Sequence, residues 1–248
     1  MGLTIHYRLA TQLANPQDVR QVLETVRQHA LDLPFKEVGE VKEFTGDETD
    51  HKSGSETDRW LKIQSKGHFR VGQKHMMVAP QHVIAFSTWP GEGCEPANFG
   101  LSKYPEFVPN PMDGKGQVPT KLHDGWSWTS FCKTQYASDP KCGGIENFLR
   151  CHLAVVKVLD FLKQTGVVTV EVRDEAEFWD KRDVVLLAKD VGEWNELVAG
   201  MVSDVRSTGE GKVTAPITAF PNFEHLEAKG LDRLAELRRR LKQDDAGP

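Results

Sequence analysis

The chain has 248 residues, 39% of them hydrophobic and 27% charged, enough to bury a real core and close to the globular average, which rules out a disulfide-stapled miniprotein and wholesale disorder. Its 31 Lys and Arg against 36 Asp and Glu leave a formal charge of -5, which argues against nucleic acid as a partner. No apolar run reaches the roughly eighteen residues of a membrane helix, and the start MGLTIHYRLA lacks a basic segment followed by an apolar one, so the expectation is a cytoplasmic protein with no membrane partner.

Leu3, Ile5, Tyr7 and Leu9 alternate with Thr4, His6 and Arg8, the period of two of a strand covered mainly on one face, with His6 and Arg8 sharing the other. Asn15 and Pro16 read as an N-cap and first-turn pair, and Val19, Val22, Leu23, Val26 and Ala30 follow at helical spacing. The helix should end before Pro34, and Phe35, Val38, Val41 and Phe44 fit a second strand loosely, which predicts a β-α-β start. Residues 45–58, TGDETDHKSGSETD, have no large apolar side chain and read as a mobile surface loop that does not match the ligand spacing of a calcium loop. RWLKIQ, HFRVG, KHMMVA and HVIAFSTW are short and β-rich, punctuated by Gly67, Gly72 and Pro80, and suggest a meander of strands.

From Trp89 to Gly144 Pro and Gly cluster and neither periodicity survives, while Phe99, Tyr104, Phe107, Trp126, Trp128, Phe131 and Tyr136 supply aromatic bulk. The expectation is a long, ordered, aromatic-pinned excursion. Helical spacing returns at Glu146 with Phe148, Leu149, His152, Val155, Val156, Leu159 and Leu162, stopping at Gly166. VVTVEV then reads as a strand and Asp174 as the cap of a further helix near Glu175. Residues 192–206 predict another amphipathic helix joined to the previous one at about Gly192. KVTAPITAF reads as extended, and the last helix, near 223–242, places Leu226, Leu234, Leu237 and Leu241 on one stripe with Arg238, Arg239, Arg240 and Lys242 near its end.

Four places could carry chemistry. The first is the segment from Ser87 to Pro96, with Trp89, Gly91, Glu92 and Gly93, a candidate strand-end binding loop that lacks the Lys-Ser/Thr ending of a phosphate loop; the other reading is two chain turns that pack Trp89. The second runs from His123 to Tyr136, where His123, Cys132, Lys133 and Tyr136 bring a base, a thiol, an amine and a phenol together as candidate catalytic groups. Its alternation, with Trp126, Trp128 and Ser130 on one side and Ser127, Thr129 and Phe131 on the other, is equally that of a half-aromatic strand. The third gathers Cys132, Cys142, Cys151 and His152, with Cys94 in reserve. Cys151 and His152 lie about 100 degrees apart on the predicted helix, the wrong spacing for paired metal ligands, and no metal site is expected. The fourth is the helix start after Gly143 and Gly144, where free N–H groups, Asn147 and Arg150 could hold an anion; alternatively Arg150 pairs with Glu146 one turn earlier.

These features predict an α+β fold with a mixed or mainly antiparallel sheet flanked by amphipathic helices. The expected organisation is one domain over 1–248, in which pseudo-halves 1–88 and 145–248 are joined by 89–144. The expected function is binding of a small anionic ligand, or an enzyme acting on one, in a pocket of the central loops lined by Trp89, Glu92, Trp126 and Trp128, with no particular cofactor implied. The alternatives are an interaction module that presents exposed tryptophans and a zinc-stabilised structural protein.

Overall fold

The computed structural model describes residues 3–110, 114–207 and 215–244. The fold is α+β. Strand β1 (Thr4–Thr11) leads into helix α1 (Pro16–Leu31), whose first turn is capped as the sequence implies: the Asn15 side chain accepts from the Gln17 N–H at 3.0 Å, and Pro16 opens the helix. Val19, Leu23, Val26 and Ala30 are its buried stripe. The large apolar members of such a stripe stabilise by about 1.5–3 kcal/mol each when fully buried.

The short strands β2 (Glu37–Val38) and β3 (Lys42–Thr45) follow, so the first strand after α1 is broken in two. Both pair antiparallel with β6 (His82–Trp89), on the far side of the sheet from β1. The hairpin of β4 (Gly67–Val71) and β5 (Lys74–Val78) precedes β6, and β7 (Ala97–Lys103) returns beside it. After the small hairpin of β8 (Phe107–Pro109) and β9 (Gln117–Pro119) come the long strand β10 (Trp126–Lys133), helix α3 (Gly144–Gln164) and strand β11 (Thr169–Asp174). The main sheet has the order β11-β1-β10-β7-β6-β2, and every pairing among the described strands is antiparallel.

Three expectations need correction. Residues 45–58 are not a loose loop: Gly46–Thr49 form a 3-10 turn with Thr49 buried, and Ser55 caps the next helix. RWLKIQ is not a strand but most of helix α2 (Glu56–Gln64), because Ser55 and Asp58 form a reciprocal capping box that outweighs the β-prone letters. The stretch 89–144 is not an excursion without regular elements, since it supplies β7 and β10, two inner strands of the sheet. Many of its glycines and prolines mark the connections between strands, although Gly100, Pro109 and Pro119 lie within β7, β8 and β9.

The chain continues through the four-residue helix α4 (Phe178–Lys181) into α5 (Val184–Ser207), which runs through Gly192 without a break, and ends in α6 (Phe223–Asp244), packed on α5. Of the segment KVTAPITAF, read as extended, residues 212–214 lie outside the described residues and Pro216–Ala219 form a 3-10 turn instead; the side chains of Leu241 and Lys242 also lie outside the described residues. No helix among the described residues is long and apolar enough to cross a membrane.

Candidate functional site

The core face of the sheet carries Ile5, Tyr7 and Leu9 from β1 and Trp126, Trp128, Ser130 and Cys132 from β10, all buried. In the antiparallel register Ile5 faces Cys132, Tyr7 faces Ser130 and Leu9 faces Trp128. The period of two therefore sends the intervening residues to the other face. There His6 lies opposite Phe131 and Arg173, while Arg8 lies opposite Thr129 and Glu171. This second face is left open over β10, β1 and β11, and the end of α2 with Ile63, Gln64, Lys66 and His68 stands beside it as a wall.

The result is a cleft of about 520 Å³. Its apolar surface is Phe131 on the floor, 44% exposed, and Ile63 on the wall, 38% exposed. Its rim is basic: Arg8, Lys66 and Arg173 are permanent cations, His6 and His68 add two imidazoles, and Glu171 is the carboxylate set against them. His6 is partly engaged, its Nε2 lying 3.7 Å from Glu175 and its ring 6.0 Å from that of Phe131. Among the described residues Arg8, Lys66 and Arg173 enter no ion pair. Arg8 and Glu171 are cross-strand neighbours, yet among the described residues they form no ion pair with one another. Tyr7 also borders the cleft, but burial pushes its phenol far up and its hydroxyl donates to the Asn98 carbonyl at 2.8 Å, so it serves as structure there. A planar guanidinium matches a carboxylate or phosphate with two parallel N–H donors, and an exposed ring beside it takes an apolar body.

The residues nominated by the sequence lie elsewhere. Trp126 and Trp128 are each 1% exposed, with the Trp128 indole donating to the Asn98 carbonyl at 2.9 Å; they are core, neither pocket wall nor exposed patch. His123 pairs with Asp124 at 3.1 Å ahead of β10, whereas Cys132 sits six residues beyond Trp126, about 20 Å along the strand. The buried Cys132 thiol donates to the Glu95 carbonyl at 3.2 Å, and burial, then the charges of Glu95 and Cys151, push it up. Lys133 and Tyr136 do meet, the ammonium 4.6 Å above the ring.

Trp89, Glu92, Asn147 and Arg150 also converge, and what they hold is the chain itself. Asn147 donates to the carbonyls of Glu92 and Ala137, both at 3.1 Å. Arg150 donates to Asn147 Oδ1 at 2.7 Å, to the Pro90 carbonyl at 3.0 Å and to the Pro34 carbonyl. Glu92 pairs with Lys36, whose ammonium lies 4.5 Å from the Trp89 ring. Gly93, at φ 79°, lies so close that a Cβ there would come 2.3 Å from the Tyr136 carbonyl. Gly143 precedes α3 with φ 108° and Gly144 opens it with φ 68°. Of these glycines it is Gly93 that admits a close approach of backbone to backbone.

A second cavity carries paired charges. Of about 290 Å³, it lies between α5 and α6 and is lined by Trp194 and Leu237, with Arg233 bound to Glu193 and Glu196 and Arg240 to Glu236. No group of three or more His, Cys, Asp or Glu among the described residues is arranged to hold a metal ion. The open cleft was missed from the sequence because its residues come from four distant segments; the one signal was the pairing of His6 and Arg8 on the far side of β1. No family model matches the chain, and no curated protein and no solved structure matches it either.

Proposed function

We propose that the protein binds a small organic anion in the cleft on the open face of its sheet, with the acid group between Arg8 and Arg173 and an apolar body on Phe131 and Ile63. The observation that carries this reading is the collection of Arg8, Lys66 and Arg173, none in an ion pair among the described residues, around an exposed aromatic floor, in a chain whose formal charge is -5. Charges left unpaired at the rim of a concave apolar surface favour an anionic ligand over water when the ligand brings both an acid and a greasy face.

Calorimetric titration with phenyl phosphate, benzoate and inorganic phosphate tests it. Phenyl phosphate should bind best, because inorganic phosphate leaves the floor unused. Arg8→Ala and Arg173→Ala should each weaken phenyl phosphate about tenfold, or about 1.4 kcal/mol, with little change in the ligand-free Tm since both side chains are exposed. No binding of any of the three anions, or binding indifferent to both substitutions, would sink the reading.

A further inference from the structure

The main sheet ends on one side at the short strands β2 and β3, of two and four residues, and on the other at β11, of six. The β11 edge is therefore the longer template for another strand. The direction of its backbone groups follows from the ladder. The Glu175 N–H donates to the Thr4 carbonyl at 3.1 Å, and the Thr134 N–H to the Leu3 carbonyl at 3.2 Å. The even residues of β1 thus bond to β11 and the odd ones to β10, so on β11 it is Thr169, Glu171 and Arg173 whose backbone groups point at β1. Val170 and Val172 turn theirs away from β1, and among the described residues nothing bonds to them. The usual protections of an edge are missing, since TVEVRD holds no Pro, no Gly and no Lys. Its exposed side chains are Thr169, Glu171 and Arg173. The last two are opposite in sign, two residues apart, and neither enters an ion pair among the described residues.

We infer that two copies of the chain pair along β11, antiparallel about a two-fold axis at Val172, so that their sheets become one. Charge selects this register. It sets each Glu171 opposite the partner's Arg173, in the pairs that exchange no backbone bonds and whose Cα atoms come closest, about 4.5 Å apart. Val172 exchanges N–H and C=O with the partner's Val172, and the Asp174 N–H meets the partner's Val170 carbonyl. An axis at Val170 would instead set Glu171 opposite the partner's Thr169 and Arg173 opposite the partner's Val167, and both charges would lose their complement. A two-fold pairing consumes the β11 edge of each copy, so the assembly closes as a dimer. Exposed ion pairs contribute little. The backbone bonds therefore supply the attraction and the charges set the alignment. Glu171 and Arg173 border the cleft, so the two clefts adjoin across the axis. The dimer does not rest on the anion reading, although both draw on Arg173, and it is tested with no phosphate or organic anion added.

Sedimentation equilibrium of the full chain, from low to high micromolar concentration, should reach twice the monomer mass. Over the same range, amide exchange at Val170 and Val172 should slow about tenfold when nearly all chains are paired, while the amides of Glu171 and Arg173, already bonded to β1, should not change. Glu171→Arg and Arg173→Glu should each give a monomer by setting like charges opposite one another, and the two together should restore the dimer. Val172→Pro removes an N–H that points away from β1 and should give a folded monomer. The exchange measurement needs no variant to fold. A monomer at every concentration, a dimer whose Val170 and Val172 amides exchange as fast as the monomer's, or a dimer indifferent to either single charge reversal would overturn the inference. So would a double reversal that folds and stays monomeric.

Discussion

His152 shows how much can depend on one side chain inside this fold. Its Nε2 lies 3.1 Å from Asp174 and its Nδ1 3.0 Å from the Thr134 hydroxyl, with both the imidazole and the carboxylate sealed from solvent. Asp174 also accepts the N–H groups of Ala176 and Trp179, each at 3.0 Å. Burial by itself would raise this carboxyl, but the hydrogen bond and charge of His152 and the two backbone donors outweigh it and hold Asp174 below the ordinary carboxylate range. A carboxyl lowered in the folded state stabilises the fold above its unfolded value, about 3.9, and that contribution disappears as pH falls through the folded value. Replacement Asp174→Ala leaves three donors unsatisfied in the interior and should cost about 3–5 kcal/mol at neutral pH. Urea unfolding of both proteins between pH 6 and pH 3 should show the gap narrowing below about pH 4; a gap independent of pH would contradict the assignment. The sequence put His152 on the apolar stripe of α3 and gave Asp174 a capping role, although the helix it was to cap begins at Phe178 and not near Glu175. Their meeting was not legible there, because it depends on how α3 crosses β11.

Among the elements, α2 and the α5–α6 pair are the instructive cases. RWLKIQ has the letters of a strand, and only the polar residues ahead of it reveal the helix, through the Ser55–Asp58 capping box. The same polar segment supplies the partner of a buried cation: Lys62, 4% exposed, donates to the Ser53 carbonyl at 3.0 Å and lies 4.6 Å from the Phe44 ring. A segment with nothing apolar of its own is thus tied down by a residue outside it. Helices α5 and α6 cross where Gly200 and Gly230 touch, and a Cβ on Gly230 would lie 1.9 Å from the Glu196 carbonyl oxygen. Gly230→Ala should force the helices apart, costing roughly 1–3 kcal/mol as overpacked sites do, although alanine is the better helix former by about 1 kcal/mol. Hydrogen exchange should show faster exchange across α6 with the sheet amides unchanged; uniform acceleration everywhere would mean that α6 melts only with the rest. The sequence placed α6 well and only the second half of α5, which it divided at Gly192, and no periodicity announces which glycine faces a neighbouring backbone.

For the whole molecule, a single net charge conceals an uneven surface. The acidic excess of the chain coexists with a basic rim at one cleft, because a strand partitions its residues between two faces whatever their sum. Composition therefore spoke correctly of class and poorly of place. The α+β class, the first strand, α1 and α3 followed from spacing and caps. The sheet order and the cleft depend on pairings between residues more than a hundred positions apart, such as His6 with Phe131 and with Arg173, and one sequence carries no record of those distances.

That register also bears on the order in which the fold can come into being. Strand β1 precedes every other described strand, yet its neighbours in the sheet are β10 and β11, which end at Lys133 and Asp174. Until the chain has been made that far, Ile5, Tyr7 and Leu9 have no strand beside them, whereas the β6–β7 hairpin spans only His82–Lys103 and can form locally. Closing the longer loops costs more entropy, so β1 should enter late. Pulse-labelling of amides during refolding should protect residues 82–103 first and residues 4–11 last; early protection of β1 would contradict this order. The strand that presents Arg8 and His6 to the cleft is thus made more than a hundred residues ahead of either partner and is among the last to find its place, so it stays in need of shelter until β10 and β11 have followed.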